Sequence, residues 1–418
     1  MRLRLRRPDE GLWSDPDFLR LWGAQTISQV GTQVTLLALP LTAILLLHAS
    51  ALEIALLGAM ETLPFLLFAL PAGVWVDRLP RRGLMILADF ARAAALVSIP
   101  IAHWLDALGL PQLFAVAFLT GIGTVFFDVS YLSYLPSLVG RAQLAGGNAR
   151  LMATQSGAQI VGPGIGGALV GIAGAPAALL ADAASFGVSG ALIGLIRRRE
   201  APVARSEERH IWTELREGLS YVFRQPYLRI LTITTAISNF FGTMLFSLFL
   251  LYAIRDLEFS PGVMGLIFAL VNVGALAGAV LSGRVVRKIG LGWTITWGAI
   301  VGNLTFLSIP LAPKDYALPI FAVGAILGPG IGMMFNVNQL SLRQAITPER
   351  LLGRMNSVVR FMYWGTMPAG AAAGGALATV AGVRTTLIVG AAGAAVAFLP
   401  LVLSPLRRLR ALPEAADA

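Results

Sequence analysis

Apolar segments long enough to cross a lipid bilayer recur along almost the entire sequence. A helix needs about 20 apolar residues to span the ~30 Å hydrocarbon core. Since 56% of the 418 residues are hydrophobic and only 13% are charged, a soluble core could not hide this much apolar surface. We therefore expect an all-α integral membrane protein of about 12 transmembrane helices. The predicted spans are Leu19–Leu47, Ala51–Val76, Leu84–Leu105, Gln112–Val139, Ala145–Ile172, Pro176–Ile196, Tyr227–Ile254, Pro261–Val286, Trp293–Leu311, Ala317–Leu342, Gly353–Val380 and Thr385–Leu403.

The basic residues are concentrated in the polar gaps on one side of the predicted membrane. The net charge is +10, yet only Arg255, Lys314 and Arg384 fall in gaps on the other side. The positive-inside rule then places both termini and the central loop in the cytoplasm. No stripe of Arg and Lys interleaved with aromatic residues crosses a polar domain, so we do not expect nucleic-acid binding. The sequence predicts a multi-pass protein of the cytoplasmic membrane.

The two halves of the sequence repeat each other. The matching segments keep an offset of 208 to 210 residues: Ile27-Ser28-Gln29 with Ile237-Ser238-Asn239, Phe127-Asp128-Val129 with Phe335-Asn336-Val337, and Gly166-Gly167 with Gly374-Gly375. An even number of spans in each half predicts two parallel, pseudo-symmetric six-helix bundles. The predicted domains are a cytoplasmic N-terminal segment 1–17, a bundle 18–196, a central linker 197–225 with an amphipathic helix, a bundle 226–404 and a cytoplasmic tail 405–418.

Residues for enzymatic chemistry are sparse. The chain has no cysteine and only three histidines, which are far apart in sequence and lack metal-ligand spacing. No phosphate-binding loop, nucleophile elbow or zinc-protease motif is present. We therefore expect neither a catalytic site nor a bound metal or cofactor, and a membrane enzyme is the least favoured reading.

One cytoplasmic loop carries the most specific motif. It lies between the second and third spans and reads Gly73-Val74-Trp75-Val76-Asp77-Arg78-Leu79-Pro80-Arg81-Arg82. This resembles the signature Gly-x-x-x-Asp-Arg-x-Gly-Arg-Arg of the major facilitator superfamily, with Pro80 in place of the second Gly. The resemblance extends to the helix count, the central loop and the duplicated half. It implies the fold of that superfamily and a charge relay of Asp77, Arg81 and Asp128 that latches the cytoplasmic gate.

A second motif lies in the fifth span, where Gly162-Pro163 is followed by Gly166-Gly167. Closely spaced glycines make a flat helix face for close packing, and the proline adds a bend. The string also resembles the antiporter motif of exporters in the same superfamily. The run from Phe18 to Gln33 further resembles the branch that contains macrolide-efflux proteins and the enterobactin exporter. Thr32 stands where many members of that branch carry an acid, which removes one candidate proton site.

Polar residues within the spans are candidates for a substrate cavity, because a polar amide in lipid is unfavourable unless it faces water or a neighbouring helix. The first span carries a stripe of three glutamines, and its repeat partner carries Asn239. Interhelical hydrogen bonding is the alternative reading for each amide. The candidate cavity residues are Gln25, Gln29, Gln33, Gln155, Gln159, Asn239 and Asn336.

Two acids within the spans are candidates for proton coupling. Glu61 lies about ten residues, or roughly 15 Å, into the second span, and an acid at that depth could carry a proton. A paired structural acid is an equally good reading of this residue. Asp182 in the sixth span is the weaker candidate. By contrast, Asp89 and Arg92, three residues apart, are predicted to be a structural ion pair.

We therefore predict a monomeric secondary efflux transporter that works by alternating access within the bilayer. Its cargo is expected to be an amphiphilic small molecule, such as an antibiotic or a siderophore, and its coupling ion the proton. Uptake of a metabolite is the first alternative. Lipid movement and a non-transporting receptor are the others.

Overall fold

The computed structural model describes residues 11–76, 78–140, 143–198 and 211–411, without the side chains at 69, 70, 73, 74, 211–215, 349 and 350. Within these ranges the secondary structure is helical and includes no strand. The first six helices are α1 Pro16–Leu45, α2 Ala51–Val76, α3 Arg81–Trp104, α4 Leu110–Val139, α5 Leu144–Ala173 and α6 Ala175–Gly194. The others are α7 Ile211–Arg224, α8 Pro226–Arg255, α9 Pro261–Ile289, α10 Leu291–Leu304, α11 Ser308–Leu311, α12 Ala317–Ala345, α13 Glu349–Ala381, α14 Val383–Val396 and α15 Leu399–Val402.

Most of these helices have the length of a membrane span. In the described part of the chain, 11 helical segments are long and apolar enough to cross a membrane. They match every predicted span except the eleventh. That span falls in α13, which is 33 residues long. Its uncharged stretch, 361–381, is only weakly apolar because it includes four glycines, Tyr363, Trp364 and Pro368.

The chain divides into two compact units. Unit 1 comprises Met1–His48, Met60–Glu207 and Pro261–Leu266, and unit 2 comprises Ala49–Ala59, Glu208–Ser260 and Ile267–Ala418. In unit 1, α1 packs against α5 and α6, and α3 packs against α4 and α6. In unit 2, α8 packs against α13 and α14, and α10 packs against α12. The first long helix of each half therefore packs against the fifth and sixth, as the sequence repeat leads one to expect.

Two predicted spans are interrupted at prolines. The ninth continues from α10 through a 3-10 turn at Thr305–Leu307 into α11. Pro310 has no N–H to donate to the carbonyl of Phe306, and its ring would collide with that carbonyl in a regular helix. The twelfth span breaks in the same way: α14 ends at Val396, four residues before Pro400, and α15 follows after a short turn.

The end of α6 is held to the start of α1. The carboxylate of Asp17 accepts hydrogen bonds from the backbone N–H groups of Arg197 and Arg198, each at 3.1 Å. The same carboxylate forms an ion pair with Arg20 at 2.7 Å. Arg82 donates to the carbonyls of Ile193 and Gly194. The last turn of α6 thus has partners for carbonyls that a helix end leaves free.

Helix α7 packs on α13 within unit 2. Gly218 faces the backbone of Arg354 so closely that a Cβ atom would lie 2.9 Å from its carbonyl oxygen. Glu217 forms an ion pair with the Arg354 side chain, and Val222 is fully buried. The remaining predicted linker residues, 199–210, lie outside the described residues, as do 1–10 and 412–418 of the predicted terminal segments.

Candidate functional site

The glutamine stripe on α1 lies in unit 1 and is partly satisfied within the helix. Gln25 is buried, with 5% of its surface exposed, whereas Gln29 and Gln33 are only partly buried. The Gln29 Nε2 atom lies 3.5 Å from Gln25 Oε1, at the outer limit of a hydrogen bond. On the neighbouring α5, Gln159 is partly buried and Gln155 is exposed.

The glycine motif of α5 packs against α1 beside this stripe. A Cβ atom at Gly162 would lie 2.5 Å from the Cβ of Gln33, and one at Gly166 would lie 3.1 Å from the Cα of Val34. Gly167 faces the start of α9, part of unit 1, where a Cβ would lie 3.1 Å from the Cα of Gly265. Each of these three glycines therefore permits a helix approach that alanine would obstruct. Pro163 lies inside α5.

The two candidate proton sites differ in environment. Glu61 on α2 is partly buried, and among the described residues its carboxylate has no hydrogen-bond or ion-pair partner. Asp182 on α6 is only 1% exposed. Its carboxylate accepts hydrogen bonds from Thr35 Oγ1 at 2.5 Å and Ser185 Oγ at 2.8 Å. Gly31 leaves room for this carboxylate, because a Cβ there would collide with it.

The predicted ion pair of α3 is also in unit 1. Arg92 Nη2 lies 2.5 Å from Asp89 Oδ1. The guanidinium carbon of Arg92 lies 4.0 Å from the centre of the Phe186 ring and 4.8 Å from that of Phe127. Burial between two aromatic rings and a carboxylate explains how α3 accommodates a charged arginine.

The charge relay is only partly described. Arg81, at the start of α3, donates from Nη1 to the carbonyl of Ser133 on α4 at 3.2 Å. Asp128 is partly buried on α4 and has an interaction partner. Asp77 lies outside the described residues. The relay of these three residues stays a prediction.

Unit 2 brings together polar side chains from α8, α12 and α13. Asn239 donates to the carbonyl of Tyr363 at 3.3 Å. The Tyr363 hydroxyl donates to Gln339 Oε1 at 3.1 Å and accepts from Arg343 Nη1 at 3.0 Å. Gln339 Nε2 lies 3.5 Å from the Oδ1 atom of Asn336. Asn239 and Asn336, both predicted cavity residues, are thus linked through this network.

Sequence reasoning missed Arg343 and Tyr363. The tenth span was predicted to end at Leu342, so Arg343 fell just outside it. In the structure α12 continues to Ala345, and Arg343 is 6% exposed. An arginine directly at the edge of an apolar segment is the signal that could have identified it, because intramembrane arginines are rare and functional by default.

Comparison with known proteins identifies the fold family. The family model described as Major Facilitator Superfamily matches residues 21–365 and, in a second match, 232–417. The chain belongs to the major facilitator superfamily. It is therefore a multi-pass membrane transporter of small molecules and not an enzyme.

Two relatives within this superfamily span nearly the whole chain. The multidrug efflux pump Tap of Mycolicibacterium fortuitum is 29% identical over 391 residues, which are 89% of this chain and 91% of the relative. The enterobactin exporter EntS of Salmonella choleraesuis is 25% identical over 425 residues and 97% of each chain. The predicted resemblance to the exporter branch of the superfamily is thereby confirmed.

Solved structures support the same fold. A bacterial homologue of the iron transporter ferroportin, in its inward-facing state, has a TM-score of 0.73 at 18% identity, covering 92% of this chain and 97% of that one. The nucleoside transporter NupG has a TM-score of 0.72 at 12% identity, covering 92% and 98%. At these identities the likeness concerns the fold alone, and it confirms the predicted all-α membrane architecture.

Proposed function

We propose that this protein is a secondary efflux transporter that exports an amphiphilic small molecule, such as an antibiotic or a siderophore, in exchange for protons. The observation that carries the proposal is full-length similarity to two exporters, Tap and EntS. The close packing of Gly162, Gly166 and Gly167, the residues that match the exporter motif, adds support. The transporter acts as a monomer with both termini in the cytoplasm.

Glu61 is the proposed proton carrier. A coupling acid must exchange protons with water during the cycle, so it has to be accessible in at least one state. Glu61 has no partner among the described residues, so no ion pair or hydrogen bond has to break before its carboxylate takes up or releases a proton. Asp182, the second candidate, is enclosed and already accepts two hydrogen bonds, an arrangement that suits a structural acid better.

Substrate binding is assigned to the amides of the two halves. Gln25, Gln29, Gln33, Gln155 and Gln159 in unit 1, and Asn239 and Asn336 in unit 2, are the proposed cavity residues. Transporters built from such repeats expose their cargo alternately to the two sides of the membrane. The relay of Asp77, Arg81 and Asp128 is proposed to close the cytoplasmic gate.

The proposal is tested in inverted membrane vesicles that contain a pH-sensitive dye. A panel of lipophilic antibiotics, organic cations and siderophores is added in turn after a proton gradient has formed. Antiport should dissipate the proton gradient only when both the protein and a compound that it transports are present. Glu61→Gln should abolish this response. Glu258→Gln, which neutralises an exposed acid outside the helices, is the matched control and should respond as the wild type does.

Other results would contradict particular parts of the proposal. If the Glu61→Gln variant dissipates the proton gradient at the wild-type rate, Glu61 is not the proton carrier. Gradient-driven accumulation of a compound in intact cells would favour uptake over export. If no compound in the panel dissipates the proton gradient, the proposal of proton antiport is wrong.

A further inference from the structure

Arg343 places a positive charge inside the protein, although it lies only two residues before the end of α12. Side chains on a helix lean toward its N-terminus. Arg343 therefore extends back along α12, away from the nearby helix end, and reaches Tyr363, 14 residues into α13. Only 6% of Arg343 is exposed, so the charge is largely shielded from water.

The partners that the structure describes for Arg343 are neutral. Its Nη1 atom donates to the Tyr363 hydroxyl at 3.0 Å, and its guanidinium carbon lies 5.6 Å from the centre of the same ring. Its Nε atom is buried without a hydrogen-bond acceptor. Among the described residues no carboxylate forms an ion pair with it. Arg92, the buried arginine of unit 1, has Asp89 at 2.5 Å.

A buried cation without a counter-ion is unfavourable, and this one is held in a fixed position. Gln339 accepts from the hydroxyl that Arg343 contacts, and Asn239 bonds to the backbone of the same tyrosine. Three helices thus orient one guanidinium, whose planar fork of N–H donors suits a carboxylate or another planar anion. Gln339 Nε2 in turn lies 3.5 Å from Asn336 Oδ1, so a second amide adjoins this network.

We propose that Arg343, with Tyr363 and Gln339, binds an anionic group of the cargo, so that the exported amphiphile is an acid that carries a carboxylate or a deprotonated phenol. This inference rests on the proposed transport function, because it assigns a chemical class to the cargo. The counter-ion that Arg343 lacks among the described residues is supplied by the cargo itself.

The test compares two probes of nearly the same shape, the anion dansylglycine and its neutral amide dansylglycinamide. The full-length protein is reconstituted in lipid nanodiscs, and binding is followed by dansyl fluorescence, with empty nanodiscs as the blank. At neutral pH the wild type should bind the acid about tenfold more tightly than the amide, the factor that one charge-assisted hydrogen bond can supply. This measurement needs no variant, so it does not depend on whether a substitution folds.

Two variants then test whether Arg343 causes the preference for the anionic probe. Arg343→Gln should reduce affinity for dansylglycine about tenfold and change affinity for the amide less than twofold. Arg229→Gln, which removes an exposed arginine from the first turn of α8, is the matched control and should change neither. Equal affinity of the wild type for both probes, or equal loss on both probes in Arg343→Gln, would overturn the proposal.

The binding measurement is separate from the test of transport. If vesicles export a cation such as ethidium while the acid and the amide bind equally, export stands and the anionic cargo is wrong. If no compound of the vesicle panel is exported but dansylglycine binds through Arg343, the anion site stands and proton-coupled export is wrong.

Discussion

Arg92 Nη2 lies 2.5 Å from Asp89 Oδ1 within one turn of α3, and neither side chain is more than 5% exposed. The pair is enclosed on the other sides by the rings of Phe127 and Phe186. A buried charge that loses its ion-pair partner is far less stable than the intact pair.

Asp89→Asn should destabilise the protein by about 3–5 kcal/mol, because the Arg92 guanidinium would remain buried without its ion-pair partner. Thermal unfolding in detergent measures the effect. The double variant Asp89→Asn with Arg92→Gln should be more stable than Asp89→Asn alone, since it removes the unpaired charge. A single variant as stable as the wild type would show that the pair contributes nothing.

Gly162→Ala should separate α5 from α1, because the new methyl group would lie 2.5 Å from the Cβ of Gln33. Overpacking of this kind costs about 1–3 kcal/mol, and we expect a loss of both thermal stability and export. Gly164→Ala, two residues along the same helix, is the control, because no atom lies within 4 Å of a Cβ there. If both substitutions reduce stability and export equally, the contact between α5 and α1 is not the reason that the motif requires Gly162.

Gly218→Leu should release α7 from α13, since even a Cβ at this position would lie 2.9 Å from the Arg354 carbonyl oxygen. Limited proteolysis of the purified protein should then cut within α7 faster than in the wild type, because a released helix opens more often. Ser220→Leu places the same side chain at an exposed position of α7 and should leave the cleavage rate nearly unchanged. Unaltered cleavage of the Gly218 variant would mean that α7 is held by other contacts.

Glu258 and Lys314 should make a small pH-dependent contribution to stability. The hydrogen bond from Lys314 Nζ, 2.7 Å from Glu258 Oε1, and the positive charge of Lys314 hold the pKa of the Glu258 carboxyl below its ordinary value. A carboxyl whose pKa is lowered by folding stabilises the protein above its unfolded pKa of about 4.3. That stabilisation is lost as the pH falls through the folded pKa.

The difference in Tm between wild type and Glu258→Gln should accordingly shrink as the pH is lowered from about 6 to about 3.5. Lys314→Gln should produce the same pattern, and salt should weaken it because both groups are exposed. A Tm difference that stays constant across this range would assign the effect to something other than the ion pair.

The helices were predictable from sequence because membrane spans are determined by the length and polarity of local segments. The first span was predicted as Leu19–Leu47 and is α1, Pro16–Leu45. The earlier start reflects local chemistry, since Asp15 caps the helix by accepting from the N–H groups of Asp17 and Phe18. The helix breaks before Pro310 and Pro400 could also have been predicted from the prolines, but a count of apolar residues alone does not detect them.

The polar contacts were less predictable, because they depend on which helix faces meet. The ion pair of Asp89 and Arg92 could be proposed, since residues three apart share a helix face. The hydrogen bond from the Thr35 hydroxyl to Asp182 could not be predicted, because Thr35 lies 147 positions away in the sequence. Arg343 was missed since its burial depends on the direction of a long side chain near a helix end.

The contacts of Asp17 and of Gly218 bear on how the protein could be divided. Each six-helix half retains its own end of the connecting chain: Arg197 and Arg198 are tied to α1, and α7 is packed on α13. A gene split between codons 199 and 210 would therefore yield two polypeptides that each keep these anchoring contacts. Separate synthesis of the halves would then allow isotopic or fluorescent labelling of one half at a time.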